Sequence, residues 1–153
     1  MADSLPTPDI EELEAPECLR LLETVSVGRV GVTMEALPAV FPVQFVVSDG
    51  AVIFRTVPGT KFDSATAGSV VAFEADDDRT GGAPIRWSVL VRGIAQALTE
   101  PAELSAARAL PLGSWAREGG ADRFVRIYPT VITGHRVAES APVRDHARTG
   151  SVS

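Results

Sequence analysis

Between Val27 and Val137 apolar residues recur mainly at every second position, the repeat of a strand with one face turned inward. In VGRVGVTM, Val30, Val32 and Met34 share a face while Arg29 and Thr33 take the other. In PAVFPVQFVV, Ala39, Phe41, Val43, Phe45 and Val47 fall together, and Gln44 is the polar member of the face that carries Val40, Pro42 and Val46. Ser48-Asp49-Gly50 predicts a tight hairpin into a strand over Ala51 to Val57. SVVAFEA predicts the next strand, from Ser69. The longest alternation runs from Arg86 to Ala97, with Trp87, Val89, Val91, Gly93 and Ala95 on one side and Arg86, Ser88, Leu90, Arg92, Ile94 and Gln96 on the other. Arg123 to Tyr128 and Thr130 to Val137 close the pattern, interrupted at Pro129.

Helical spacing is confined to short pieces. Cys18, Leu19, Leu21, Leu22 and Val25 predict one helix from Pro16 to about Val25, Pro58-Gly59 leads into a second starting near Thr60, and Thr99-Glu100-Pro101 opens a third that runs to about Leu110. Residues 1–14, with Pro6 and Pro8 among acids, read as a flexible arm, and residues 138–153, without apolar period, as a disordered tail. The acidic, glycine-rich DDDRTGGAP reads as an exposed connector. Six or so short antiparallel strands with few helices predict a mainly β domain over 15–137, closed or nearly closed into a barrel because closure removes exposed edges.

Two cations break the pattern around FRTVPGTK. Arg55 shares a strand face with Ile53 and Val57, where a guanidinium needs an anion. Lys61 stands in the first turn of a helix, against the macrodipole and the free amides there. An anion would resolve both: helix-start amides, the Thr60 hydroxyl, Lys61 and Arg55 together make a phosphate site. The alternative is structural, with Lys61 against Asp63 or solvent and Arg55 against a carboxylate such as Glu74. The order GK[ST] and its upstream glycine are missing, so the stretch is no nucleoside triphosphate loop.

Composition narrows the partners. The 153 residues carry a net charge of −6, which opposes nucleic-acid binding. No apolar run approaches the roughly 20 residues that span a bilayer, and the acidic start lacks a signal core, which together predict a cytoplasmic protein that meets no membrane. The single cysteine, Cys18, lies on an apolar helical face and reads as a buried thiol. His135 and His146 are too far apart, in chain and setting, to predict a metal site or a catalytic triad.

Taken as a series, GRVGVT, PAVFPVQFVV, FRTVPGTK, VAFE before an acidic loop, WSVLVRG, a TEPAEL helix and RIYPTVITGHRV resemble the pyridoxamine 5'-phosphate oxidase-like flavoproteins, particularly the small bacterial members near the nitroimidazole-reductase-like branch. The resemblance covers about Pro16 to Val137. It implies a six-stranded antiparallel split β-barrel with a few short flanking helices, a homodimer, and flavin mononucleotide (FMN) held in a cleft at the subunit boundary. It implies further that Arg55, Lys61 and Ser88 contact phosphate and ribityl groups with Thr56 and Thr60 beside them. The backbone of Val43 and Gln44 would face the flavin ring, and Trp87 would line the same cleft. Gln44 in place of asparagine, Arg86 in place of glycine and Asp63 after the lysine depart from the pattern.

The resemblance thus implies a flavin-dependent oxidoreductase acting on a small conjugated substrate, with Trp87 or Trp115 able to stack on it and no catalytic acid or base required of the protein. Two alternatives share the scaffold. One is a reductase using the longer, acidic 8-hydroxy-5-deazaflavin coenzyme, for which Arg29, Arg86 and Arg92 are candidate contacts. The other is a non-enzymatic flavin or haem carrier or sensor, in which His135 is the plausible haem contact.

Overall fold

In the computed structural model, which describes residues 9–77, 85–113 and 122–137, the alternating segments become the strands they predict. The described elements are β1 (Ile10–Leu13), α1 (Ala15–Leu22), β2 (Val27–Met34), β3 (Leu37–Ser48), β4 (Ala51–Thr56), α2 (Lys61–Thr66), β5 (Val70–Asp76), β6 (Trp87–Ala97), α3 (Pro101–Arg108), β7 (Arg123–Ile127) and β8 (Val131–Val137). Trp115, His146, most of the acidic connector and the 138–153 segment lie outside the described residues.

β6 organises the barrel by changing partner. One edge pairs with β5 from Ser88 to Ile94; on the other, Trp87 to Arg92 pair with β8 and Ala95 to Ala97 pair with β7. The ring therefore closes through β6, β5, β2, β3, β4 and β7, all antiparallel, and β8 leaves it at the change of partner and carries β1 on its outer edge. This is a six-stranded split barrel with three short helices. The crossing from β7 to β8 passes close over Gly93: a Cβ there would lie 2.3 Å from the Tyr128 carbonyl oxygen and 3.3 Å from the Thr130 amide nitrogen. Gly93 is thus required by a close approach of two backbones. The segment Ile10–Leu13, expected within a flexible arm, instead pairs with Gly134 to Val137; its sequence, IEEL, has no alternation to announce a strand.

The inward faces fill the barrel. Val30 and Val32 of β2, Phe45 of β3, Val52 and Phe54 of β4, Phe73 of β5, Val89 and Val91 of β6 and Val125 and Ile127 of β7 are buried together, with Cys18 and Leu22 of α1 plugging one opening. Phe45 and Phe73 meet edge to face at 4.7 Å between centroids, the arrangement favoured by ring quadrupoles. Burial pushes the Cys18 thiol pKa upward, as an unreactive core thiol requires. The other side of β4 is not solvated. Ile53 packs with Leu98, Ala107, Leu112 and Phe124 into a second, smaller core under α3, which explains the apolar neighbours that surround Arg55.

Both hairpins of the meander have two-residue turns with positive φ. Asp49 and Gly50, at 49° and 75°, suit such a turn; Glu35 and Ala36, at 50° and 64°, do not. Left-handed backbone costs a residue with a Cβ about 1 kcal/mol. Ala36→Gly should therefore raise stability by up to about 0.5 kcal/mol in urea unfolding, after the extra chain entropy of glycine is deducted.

On the outward face of β2 and β5, Arg29 stands opposite Glu74, 3.7 Å away. The Glu74 pKa is nevertheless raised from 4.5 to about 7, first by burial, then by the hydrogen bond and charge of Asp76, with Arg29 offsetting part of the effect. A carboxyl raised in this way holds its proton more tightly when folded. The contribution of this group is therefore fully present below pH 4.5 and falls as pH rises towards 7. Glu74→Gln should flatten that slope and add about 1 kcal/mol at pH 8, a figure reduced for the partial exposure of the group. Urea midpoints across this pH range are the check.

Candidate flavin cleft

The β3–β4 ladder stops at Phe45 opposite Phe54. Beyond it β3 continues with β2 alone from Gln44 back to Leu37, and β4 continues with β7. The two strands part, and a cleft of about 300 Å³ opens between Phe41, Pro42 and Val43 on one wall and Arg55, Thr56 and Val57 on the other, with Thr60 and Phe62 at its end. Along Leu37 to Gln44 the cleft edge of β3 has no ladder partner among the described residues, so its backbone donors and acceptors face the opening. Phe62 sits 4.7 Å from Phe41 and 6.2 Å from Phe54, ring to ring, so α2 closes the base of the cleft with aromatic surface.

Arg55 has the anion its position demands, in Asp122 rather than Glu74. Its Nη1 donates to Asp122 Oδ2 at 3.1 Å, and its guanidinium lies 4.6 Å over the Phe124 ring. The cross-strand register Arg55 opposite Phe124 makes the stacking possible. The pair is largely buried, 16% and 7% exposed. Arg55 lines the cleft, and its Nε is buried with no hydrogen-bond partner among the described residues, leaving one strong donor unused.

Thr56 and Thr60 are both committed by their hydrogens. Thr56 donates to buried Asp63 at 2.7 Å, and Asp63 also accepts from Arg123 at 3.1 Å. Thr60 donates to the Val57 carbonyl and accepts from the Asp63 amide, the usual N-cap of α2. Asp63 is thereby turned inward, and Lys61 has no ion-pair partner among the described residues. Lys61 is exposed and lines a neighbouring depression with Thr33, Met34, Glu35, Gly59, Ser64 and Ala65.

The cleft thus unites Val43, Arg55, Thr56 and Thr60 of the residues expected from sequence. It does not include the others. Lys61 borders the adjoining depression; the Gln44 side chain accepts from the Gly113 amide at 3.0 Å; Trp87 is buried in the main core; Ser88 is half-buried on the outward face of β6, opposite Asp76 and His135. Asp122, Arg123 and Phe124 were missed, because a cation's partner 67 residues away follows only from the β4–β7 register. Arg29 and Arg92, considered for a longer acidic coenzyme, stand on the outward sheet face and line no part of this cleft. His135 is exposed on β8.

Residues 14–136 match the family described as pyridoxamine 5'-phosphate oxidase. The chain belongs to this family. Within it, the chain is 41% identical over 138 residues to an uncharacterized protein of Mycobacterium tuberculosis, an alignment that covers 84% of this chain and 86% of the relative. The structure of an FAD binding protein from Mycobacterium smegmatis superposes with a TM-score of 0.72 at 39% identity, covering 84% of this chain and all of that one. A candidate 5-nitroimidazole antibiotic resistance protein from Bacteroides thetaiotaomicron superposes at 0.64 with 12% identity, over 83% of this chain and 88% of its own, and so shares the fold. Among the described residues no helix is long and apolar enough to cross a membrane.

Proposed function

We propose that this member of the pyridoxamine 5'-phosphate oxidase family binds a flavin nucleotide in the cleft between β3 and β4 and uses it in redox chemistry on a small conjugated substrate. The observation that carries the reading is Arg55, the one charged side chain lining an otherwise largely apolar cleft, whose buried Nε has no partner among the described residues. Such a donor is costly to leave unmade, and a phosphate would satisfy it. The family membership and the FAD binding protein of M. smegmatis support a flavin as the molecule that brings the phosphate. The sequence resemblance favours FMN; FAD contains the same phosphorylated flavin.

In this reading Arg55 takes the phosphate, held from behind by Asp122 and Phe124. Phe41, Val43, Val57 and Phe62 keep water from the ring, and the open β3 edge offers it backbone hydrogen bonds. A bound flavin supplies two-electron transfer, so the protein's part is placement, polarity and exclusion of solvent.

A homodimer completes the proposal. The outward face of β2, β5, β6 and β8 brings Gly31, Ala72, Arg92 and Val131 into one row and Arg29, Glu74, Leu90 and Thr133 into the next. Val70, Ile94 and Val131 stand out from it at 73%, 48% and 42% exposure. An apolar face of this kind suits a protein partner, and adjacent opposite charges make it complementary to itself about a two-fold axis. Ser88 lies on this face, so a partner subunit is the route by which it would reach a neighbour's cleft. Light scattering should give the dimer mass, and a monomer would remove this part of the reading.

The test of the whole is the chromophore. Protein purified from cells should be yellow, and the molecule released by heat should be a flavin nucleotide by mass. A preparation that neither carries flavin nor quenches the fluorescence of added FMN or FAD would refute it.

A further inference from the structure

We infer that Asp122 is a specificity residue of the cleft, selecting a flavin whose phosphate is a diester, as in FAD, over the phosphate monoester of FMN. The inference rests on the flavin reading above and concerns what the phosphate group must be.

Asp122 is 7% exposed in its side chain and holds Arg55 Nη1 at 3.1 Å, so the guanidinium that would receive the phosphate already shares its charge with a buried carboxylate. The charged groups packed beside this pair, Arg123 of β7 and Asp63 of α2, are joined to each other at 3.1 Å. Lys61, the cation that would tip the balance, borders the adjoining depression. Two guanidiniums and two carboxylates therefore stand in and beside the cleft, of which Arg55 alone lines it, with its Nε left without a partner among the described residues.

A phosphate monoester carries close to two negative charges at neutral pH, its second ionisation falling near pH 6. Each phosphate of a diphosphate diester carries one. Both can accept from Arg55 Nε, but the second charge of a monoester meets the Asp122 carboxylate across the same guanidinium. At separations of several ångströms and a protein-like dielectric that repulsion is enough for about a tenfold difference in affinity. Asp122 itself touches no ligand in this account; it sets how much charge Arg55 can accept.

Fluorescence-quenching titrations of the full chain with FMN and with FAD test this. At pH 8 the wild type should bind FAD about tenfold more tightly than FMN. Asp122→Asn, which keeps a hydrogen-bond acceptor for Arg55, should bring the two within about threefold, chiefly by tightening FMN. A second arm needs no variant: at pH 5 FMN holds a single charge, and the wild-type preference should shrink in the same way. A purely structural Asp122 would leave the FAD to FMN ratio unmoved by the substitution and would let the FAD preference widen at pH 5, as FMN loses charge that Arg55 attracts; either result overturns the inference, as does a wild type that prefers FMN at pH 8. Should neither flavin bind at all, the flavin reading fails and this inference with it; the two failures are therefore distinguishable.

Discussion

Arg55→Ala should weaken flavin binding tenfold to a hundredfold, equivalent to about 1.5 to 3 kcal/mol, the range for a charge-assisted hydrogen bond lost from a partly buried site. The effect follows from the position of the residue. Phe124 supports the guanidinium from beneath, Asp122 fixes one nitrogen, and Nε is buried without a partner among the described residues, beside a cleft in which no other described lining side chain carries a positive charge. Arg55→Lys should recover only part of the loss, because an ammonium keeps the charge without the planar fork that lets Asp122 and a phosphate bind side by side. Both variants should be checked by thermal unfolding, since removing the guanidinium leaves Asp122 buried without that partner. The comparison between them is decisive: equal retention of flavin in wild type, Arg55→Lys and Arg55→Ala would remove Arg55 from the site.

Gly93→Val should have the largest effect on the fold, of about 3 kcal/mol or more, which is enough to unfold many small domains. The nearest atom to an added Cβ is the Tyr128 carbonyl oxygen, and the next are an Ile127 methyl and the Thr130 amide nitrogen. Two of the three belong to backbone, so no rotamer change relieves the clash. The Thr130 amide also donates to the Arg92 carbonyl at 2.8 Å, and displacement would break the bond that ties the crossing segment to β6. The expected result is a fall in the urea midpoint together with weaker flavin binding, because β7 follows directly on Asp122 and carries Phe124 and the register that places it under Arg55. For fold stability alone, Gly31→Ala makes a useful control: its Cβ would meet the Ala72 methyl at an ordinary 3.6 Å.

Much of the barrel was legible because two-residue periodicity survives wherever one strand face is buried. Val30, Val32, Phe45, Phe54, Phe73, Val89 and Val91 all sit where their alternation places them. What periodicity does not carry is pairing. Nothing in WSVLVRGIAQA alone says that its first half faces β8 and its last three residues face β7, and the split depends on that change. β1 escaped for a different reason: a four-residue edge strand with two glutamates buries too little to show a pattern.

The site divides along the same line. Arg55 stood out because a guanidinium on an apolar strand face is anomalous in one dimension, whereas Asp122 and Phe124 become its neighbours only through the register of β4 with β7. The expectation that Lys61 and Arg55 line one pocket is not met within a single chain. Asp63, which sequence proximity offered as a partner for Lys61, is drawn inward by Thr56 and Arg123. Gln44, one methylene longer than the expected asparagine, uses its length to hold the Gly113 amide.

The most direct measurement is a crystal structure of the protein grown with excess flavin nucleotide. The account predicts the ring between the β3 edge at Phe41–Val43 and the β4 edge at Arg55–Val57, with a phosphate oxygen within hydrogen-bonding distance of Arg55 Nε. A flavin bound elsewhere on the chain, or one in the cleft whose phosphate leaves Arg55 Nε without a partner, would contradict it.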